Sequence, residues 1–263
     1  MNDEAIRAVA RTFAEKRRAA TGFDAFPGAM PADLATAYAM QAAAMAEWDR
    51  PLAGWKIGRI AGELAEQTGE NRFVGPVFTD SVQAADMAGS TAFPAIPAGF
   101  AALEAELVAV VGNAESRDDW TAEACAPAIA AWHIGIEVAG SPYAGIQDAG
   151  ALATIAGFGN NIGLILGPKV AIADPAAMVA AVTIDGSEVA RKAASELPGG
   201  PLAAVAFALN RLHRMGIALP AGTLLSTGAI TGVHAVTPGQ QCSAAFAQGG
   251  TIACTVIPLA AGS

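Results

Sequence analysis

Basic residues are scarce in this chain of 263 residues, where 15 lysines and arginines stand against 24 acidic side chains for a formal net charge of -9. Such a surface argues against nucleic acid as a partner, because phosphate binding needs cations to displace counterions. It argues equally against an anionic membrane face, whereas a metal ion suits an acidic protein. Cysteine is nearly absent as well. Cys125, Cys242 and Cys254 are odd in number and lack Cys-x-x-Cys spacing. A complete disulfide framework and a closed zinc site are therefore excluded, and a reducing compartment is expected. Cys242 and Cys254 could lie on neighbouring C-terminal strands, with buried small hydrophobes as their simplest role. Asn2, Asp3 and Glu4 open the chain with no apolar leader behind them, so a cytoplasmic location is expected. The segment 149–168 carries no charge, but its glycines and Asn160 and Asn161 fit loop plus buried strand better than a lipid-facing helix. The segment 215–263 contains no Asp, Glu, Lys or Arg at all. Strands buried on both faces would look like this, and so would a surface packed on another subunit.

What is present divides the chain into a helical region, 1–52, packed on a β-rich core, 53–263, in one domain overall. Ile6, Val9, Ala10 and Phe13 recur at helical spacing behind an Asn2 or Asp3 cap. Leu34, Tyr38, Met45 and Trp48 form a second stripe bounded by Pro31 and Pro51. From Gly54 onward, short apolar runs punctuated by glycine and proline predict strands at 54–58, 103–111, 134–138, 163–166 and 180–184. Asp185-Gly186 reads as a hairpin turn into a strand at 188–190. Pro201 opens a helix striped by Leu202, Val205, Leu209 and Leu212 and closed by Gly216. A shorter helix is expected over 123–132.

Glu104 and Glu106 sit inside an apolar run, and positions two apart on a strand leave the sheet on the same side. Glu137 stands alone in a second apolar strand. Carboxylates that close together in apolar surroundings repel and lose solvation unless a cation neutralises them. Three of them make an oxygen-rich site suited to Mg²⁺ or Mn²⁺. From Glu-x-Glu alone, the solvated face of an edge strand is the plainer reading.

Context comes from the order of several motifs. Gly54-Trp55-Lys56-Ile57-Gly58, Leu103-Glu104-Ala105-Glu106-Leu107, and Ile136-Glu137-Val138 with Ser141 appear in turn. Leu197-Pro198-Gly199-Gly200-Pro201, Ala221-Gly222 and Leu224-Leu225-Ser226-Thr227-Gly228-Ala229 follow. Over nearly its whole length the chain resembles the 2-keto-4-pentenoate hydratase and 2-oxo acid decarboxylase branch of the fumarylacetoacetate hydrolase superfamily. The resemblance implies an α+β fold, a mixed β-sandwich roll with N-terminal helices, a homo-oligomer, and a Mg²⁺ or Mn²⁺ ion. It places the metal ligands on Glu104, Glu106 and Glu137, the catalytic lysine on Lys56, and a substrate-binding turn on Thr227 and Gly228. A 2-oxo acid would chelate the ion through its carboxylate and 2-oxo oxygen, and Lewis acidity would favour an enolate. Lys56 would bind the developing negative charge, or shuttle a proton if burial lowers its pKa.

The resemblance breaks around the substrate. Arg72-Phe73-Val74-Gly75 lacks the aspartate of the family's Pro-Asp-Phe-Gly element, and Ala156-Gly157-Phe158 lacks the polar pair of Ala-Asp-Asn. Pro142 stands where an arginine is common, and Ile60, after Arg59, where a threonine is. Arg59, Asn160 and His133 are the candidates to replace the lost substrate contacts, since His133 shares strand parity with Glu137. His213 and His234 are expected to be structural or solvated. The glycine-rich run 157–163 has the wrong spacing for a dinucleotide loop, and Ser226 lacks a Gly-x-Ser-x-Gly frame. The expected activity is that of a lyase, a hydratase or decarboxylase of a small 2-oxo or 2-hydroxydienoic acid in aromatic-compound catabolism. The alternatives are acylpyruvate-type carbon–carbon hydrolysis and a non-catalytic metal-binding partner subunit of a related enzyme.

Overall fold

A computed structural model describes residues 1–262. The two opening helices are α1 (Asp3–Arg18) and α2 (Leu34–Trp48). Asn2 Oδ1 accepts from Ala5 N at 2.9 Å and caps α1, while Asp33 Oδ1 accepts from Thr36 N at 2.7 Å and caps α2. There follow β1 (Leu52–Arg59), α3 (Glu63–Thr68), β2 (Arg72–Phe78), β3 (Val82–Ala84), β4 (Thr91–Ala95) and β5 (Phe100–Val111). Next come α4 (Ala122–Cys125), β6 (Ile129–Ser141), α5 (Gly150–Ala156), β7 (Asn161–Val170), β8 (Val179–Ile184) and β9 (Ser187–Ala193). The chain closes with α6 (Gly200–Arg214), β10 (Leu224–Ser226), β11 (His234–Ala235), β12 (Gln241–Phe246) and β13 (Gly250–Pro258). None of these helices is long and apolar enough to cross a membrane.

The strands form two mixed sheets. The larger runs β2-β1-β10-β5-β6-β7-β3, with β11 also pairing with β5, and the smaller runs β4-β13-β12-β8-β9. Although β2 and β7 stand far apart in the strand order, they lie against each other in space, so the large sheet curls. Its convex side buries Trp55, Leu103, Leu107, Ile134 and Ile136 against Phe93, Val182 and Ile252 of the small sheet and Val205 and Leu209 of α6. Strand alternation sends the intervening residues into the hollow of the curl, where Val77, Val108 and Leu164 form a separate apolar floor. The two N-terminal helices cover one end. Val9, Phe13, Met40 and Trp48 pack on Phe78 and Phe158. Gln41 Nε2 ties α2 to the core through Val74 O and Ile155 O, both at 3.0 Å.

Three local expectations change. The helix expected over 123–132 stops at Cys125, because Pro127 cannot continue it, and Trp132 belongs to β6 instead. The supposed loop before β7 contains α5, which small residues and a leading glycine had masked. Burial alternates along β12 and β13, so the uncharged C-terminal strands are buried on one face and not on both. Cys242 and Cys254 do face one another across these strands, and all three cysteines are buried and free. The hairpin turn forms with positive φ at both Asp185 (48°) and Gly186 (80°), as a two-residue turn between twisted strands requires.

Candidate metal centre

The antiparallel pairing of β5 with β6 sets Glu104 directly opposite Glu137, and Glu106 opposite Gly135. Like charges in that position destabilise a sheet, and here water does not screen them. Glu104 is 6% exposed, and Glu106 and Glu137 are 0% exposed. One oxygen from each of the three carboxylates lies within 4.8 Å of the others. On the convex side of the same strand, Leu103, Ala105 and Leu107 are core residues, so strand parity alone delivers the acids to the hollow.

Two of the three acids, Glu106 and Glu137, are held by hydrogen bonds. Glu106 Oε2 accepts from Ser226 Oγ at 2.6 Å and from Gly228 N at 2.8 Å, and Glu106 Oε1 has no partner. Glu137 Oε1 accepts from Lys56 Nζ at 2.9 Å and Asn161 Nδ2 at 3.1 Å, and Glu137 Oε2 has no partner. The curl of the sheet is what lets Lys56, on β1, reach Glu137 on β6. Close approach matters here: a Cβ on Gly75, the residue paired with Lys56, would lie 2.7 Å from Gly159 Cα and 3.2 Å from Lys56 Cδ. Gly159 itself has φ +67°, between Phe158 and Asn160, both at +59°. Two non-glycine residues with such φ values, one on each side of a glycine, are uncommon, and strain of this kind clusters at functional sites.

The electrostatics follow from burial. Desolvation, reinforced by Glu137, pushes the Glu104 carboxyl up to about 7. Desolvation, then Glu137 and Glu104, hold Glu106 well above the ordinary carboxylate range. Lys56 moves opposite to the expectation of a lowered pKa. Burial pulls it down, but Glu137, Glu104 and Glu106 outweigh that and raise it, so the ammonium is kept. When all three carboxylates are ionised, one ammonium leaves two negative charges unbalanced, which is the charge of one divalent cation. Two orphaned buried oxygens on hard carboxylate donors fit Mg²⁺ or Mn²⁺.

A cavity of about 630 Å³ opens beside the cluster, lined by Lys56, Glu104 and Asn160 among apolar groups such as Leu64, Phe73 and Leu152. A second hollow of about 340 Å³ shares Arg59 and Glu104 with it and adds Thr227 and Gly228. Of the candidate substrate contacts, Asn160 and Arg59 reach the first cavity, and Asn160 Oδ1 is buried with no partner. Thr227 and Gly228 line the second hollow, but their donors are engaged. Thr227 Oγ1 and N both donate to Leu107 O, and Gly228 N serves Glu106. The turn therefore braces a carboxylate. His133 is not brought to the site. It lies four residues from Glu137, roughly 13 Å along a strand, and its Nδ1 is 2.9 Å from Gly167 O.

The sequence reading passed over three participants. Ser226 was weighed only as a nucleophile. Asn161 sits next to Asn160, and alternation along the chain could have signalled that one of the two turns to the acids. Arg17 continues the Val9–Phe13 stripe at helical spacing, and so was legible as buried. It is 4% exposed and donates through Nη1 to Asn161 O at 2.7 Å.

A curled sheet that gathers three buried carboxylates beside a small-molecule cavity defines a class of cation-centred proteins. The chain belongs to the family described as Fumarylacetoacetate (FAA) hydrolase C-terminal, whose profile matches residues 62–257. No curated protein matches the sequence. Among solved structures, 4-oxalocrotonate decarboxylase from Pseudomonas putida G7, complexed with magnesium and adipate, is similar in fold. It has a TM-score of 0.81 at 20% identity, covering 98% of this chain and 99% of that one. Fumarylpyruvate hydrolase from Pseudomonas aeruginosa, with Mn²⁺ and pyruvate, gives 0.57 at 20% identity over 78% of this chain and 89% of that one. Maleylpyruvate hydrolase from Sphingobium sp. SYK-6, with manganese and pyruvate, gives 0.55 at 16% identity over 79% and 72%.

Proposed function

We propose that the chain is a divalent-metal-dependent lyase, a decarboxylase or hydratase, acting on a small 2-oxo or 2-hydroxydienoic acid. The observation that carries this reading is the buried cluster of Glu104, Glu106 and Glu137, whose carboxyls outnumber the one ammonium among them and whose two orphaned oxygens sit beside a cavity. Glu104, Glu106 and Glu137 would hold a Mg²⁺ or Mn²⁺ ion, which would supply Lewis acidity towards a bound 2-oxo acid. Lys56 keeps a proton on Nζ at the cavity wall, where it stabilises negative charge developing on the substrate. The free Asn160 Oδ1 accepts a hydrogen bond from an enol or hydroxyl group. Leu64, Phe73 and Leu152 keep that part of the cavity poor in water.

The decarboxylase similarity extends over nearly the full chain, N-terminal helices included, and this supports the lyase reading above the hydrolytic one. A second copy of the chain packing on the uncharged outer face of β12 and β13 belongs to the same reading, as does a cytoplasmic location. The test supplies Mg²⁺-loaded protein with 2-hydroxydienoates, unsaturated 2-oxo diacids and acylpyruvates. Metal-dependent change in ultraviolet absorbance, or release of CO₂, is expected. Pyruvate release from acylpyruvates alone would establish hydrolysis instead, and silence across the panel with metal bound would leave a non-catalytic subunit.

A further inference from the structure

We propose that a second small-molecule site lies away from the carboxylate cluster, in a hollow of about 320 Å³ beside the N-terminal helices, and that it takes a monocarboxylate with an apolar body. The site is independent of the reaction proposed above. It shares no lining residue with the two cavities beside the acids.

Strand parity separates the two places. On β7, Asn161 turns its side chain to Glu137, and Ile162, the next residue, leaves the opposite face of the sheet and lines the hollow. Arg17 of α1 and Trp48 of α2 form part of the wall, with Pro94 of β4 and Pro258 of β13. Ala92 and Ile257 also line it and are exposed, so the hollow opens to solvent.

Two buried donors in this wall lack what a carboxylate would supply. Arg17 is 4% exposed, and among the described residues no carboxylate makes an ion pair with it. Asp80 lines the same hollow and favours the charge on Arg17 through space, but its ion pair is with Arg50, at 3.3 Å on the surface. Burial lowers the Arg17 pKa only to about 10, so the guanidinium stays cationic at neutral pH. Among the described residues its hydrogen bond is that from Nη1 to Asn161 O, which leaves most of its N–H groups without an acceptor. Trp48 is 7% exposed, and its Nε1 is buried with no hydrogen-bond partner. A buried indole N–H ordinarily finds an acceptor, and an orphan of this kind calls for one.

One carboxylate answers both groups, because its oxygens only accept and its charge opposes that of Arg17. A phosphate dianion suits the hollow less well, since Asp80 stands in the wall beside the one buried cation. Ile162, Pro94, Pro258 and Leu259 give the remaining wall an apolar character, which favours an apolar body on the ligand. The volume lies at the low end of small-molecule pockets, roughly 300–1,000 Å³, and limits that body to a single ring or a short chain.

Isothermal titration of the full-length protein, chelator-treated and Mg²⁺-loaded, tests this with benzoate, benzamide and inorganic phosphate, and the indole N–H resonances are followed alongside. Benzoate is expected to bind with and without Mg²⁺, at least about tenfold more tightly than benzamide or phosphate, the worth of a charged hydrogen bond. It should also shift one indole N–H resonance. Trp48→Phe keeps an aromatic ring and removes the donor, so it should delete that resonance and lower benzoate affinity about fivefold. Ala92→Phe, at an exposed position, should close the hollow and abolish binding while Mg²⁺ affinity is unchanged. Arg17→Gln should cost about tenfold or more, and the other two variants carry the test if it fails to fold. Binding that requires Mg²⁺ would place benzoate at the carboxylate cluster and overturn the proposal, as would equal affinity for benzoate and benzamide. Silence would overturn it too, and is the result if a second copy of the chain closes the hollow. None of these outcomes touches the metal-dependent reaction, which its own panel of substrates tests.

Discussion

Replacing Glu106 by glutamine changes a charge and almost no volume, which makes it the sharpest probe of the carboxylate cluster. The amide oxygen can keep the hydrogen bonds from Ser226 Oγ and Gly228 N that Oε2 now accepts. The amide nitrogen then occupies the place of Oε1, which has no partner, and offers donors towards Glu104 and Glu137. Metal-free Glu106→Gln should therefore melt close to metal-free wild type at neutral pH, because the amide mimics the neutral carboxyl that burial and the neighbouring acids favour there. A divalent cation separates the two. With Mg²⁺ at about a hundredfold over its dissociation constant, binding stabilises wild type by about 2.7 kcal/mol. In a chain of this size that raises the melting temperature by roughly 5–11 °C. The variant has lost one of three ligands and should gain only about a degree or two under the same conditions. Differential scanning calorimetry of chelator-treated and Mg²⁺-supplied protein reads all four states, with metal content measured alongside. The reasoning fails if the variant keeps the wild-type increment, or if metal-free variant melts well below metal-free wild type.

Two further outcomes follow from the same cluster. Lys56→Met strands Glu137 without its 2.9 Å partner, so metal-free protein should lose about 3–5 kcal/mol. Turnover of the substrate identified by the panel above should fall about a hundredfold with Mg²⁺ content retained, and a variant of undiminished kcat would remove Lys56 from the chemistry. The second concerns pH. The folded-state pKa of Glu104 is raised from 4.5 to about 7, so its contribution to metal-free stability is fully present below 4.5 and lost as pH rises through 7. Mg²⁺ must displace that proton, so its affinity should rise with pH by up to about tenfold per unit below 7. Calorimetric titration in buffers of different ionisation enthalpy reports the released proton, and a pH-independent affinity across that window would contradict the assigned ligands.

The convergence of Glu104, Glu106 and Glu137 was legible because it depends on parity and pairing, which a two-residue spacing and two apolar runs reveal. The motif order disclosed which strands would meet. What stayed hidden depends on curvature and on loops. Nothing in a strand pattern says that β1 bends far enough for Lys56 to reach β6 across two intervening strands, nor that the carboxylates would override burial and raise its pKa. The Thr227-Gly228 turn lies beside the cluster as its motif implied, but a motif does not reveal that its donors face Glu106 and Leu107 O. Parity placed His133 on the correct face and could not show that distance along the strand removes it from the site. The helix expected from Glu123 proves too long because Pro127, with no N–H to bond back, ends the α-helix at Cys125 and leaves only a 3₁₀ turn over 126–128.

Arg17 explains why the N-terminal helices belong to the site although none of their residues lines the metal cluster. Its guanidinium lies over Trp48 at 4.7 Å, Phe158 at 5.1 Å and Phe78 at 5.4 Å, and burial lowers its pKa to about 10, partly offset by Asp80. Cation–π contacts offset part of the cost of burying that charge, and the hydrogen bond to Asn161 O gives it a direction. Asn161 then donates its side-chain amide to Glu137 Oε1, beside Lys56. A chain of two hydrogen bonds thus runs from α1 to the carboxylate opposite Glu104. The aromatic rings that embrace Arg17 come from α2, β2 and the segment before β7, so helix packing, the left-handed Phe158–Asn160 turn and the setting of one carboxylate are mechanically one unit. Residues 1–52 accordingly reach the carboxylate cluster through Glu137, without supplying a carboxylate of their own.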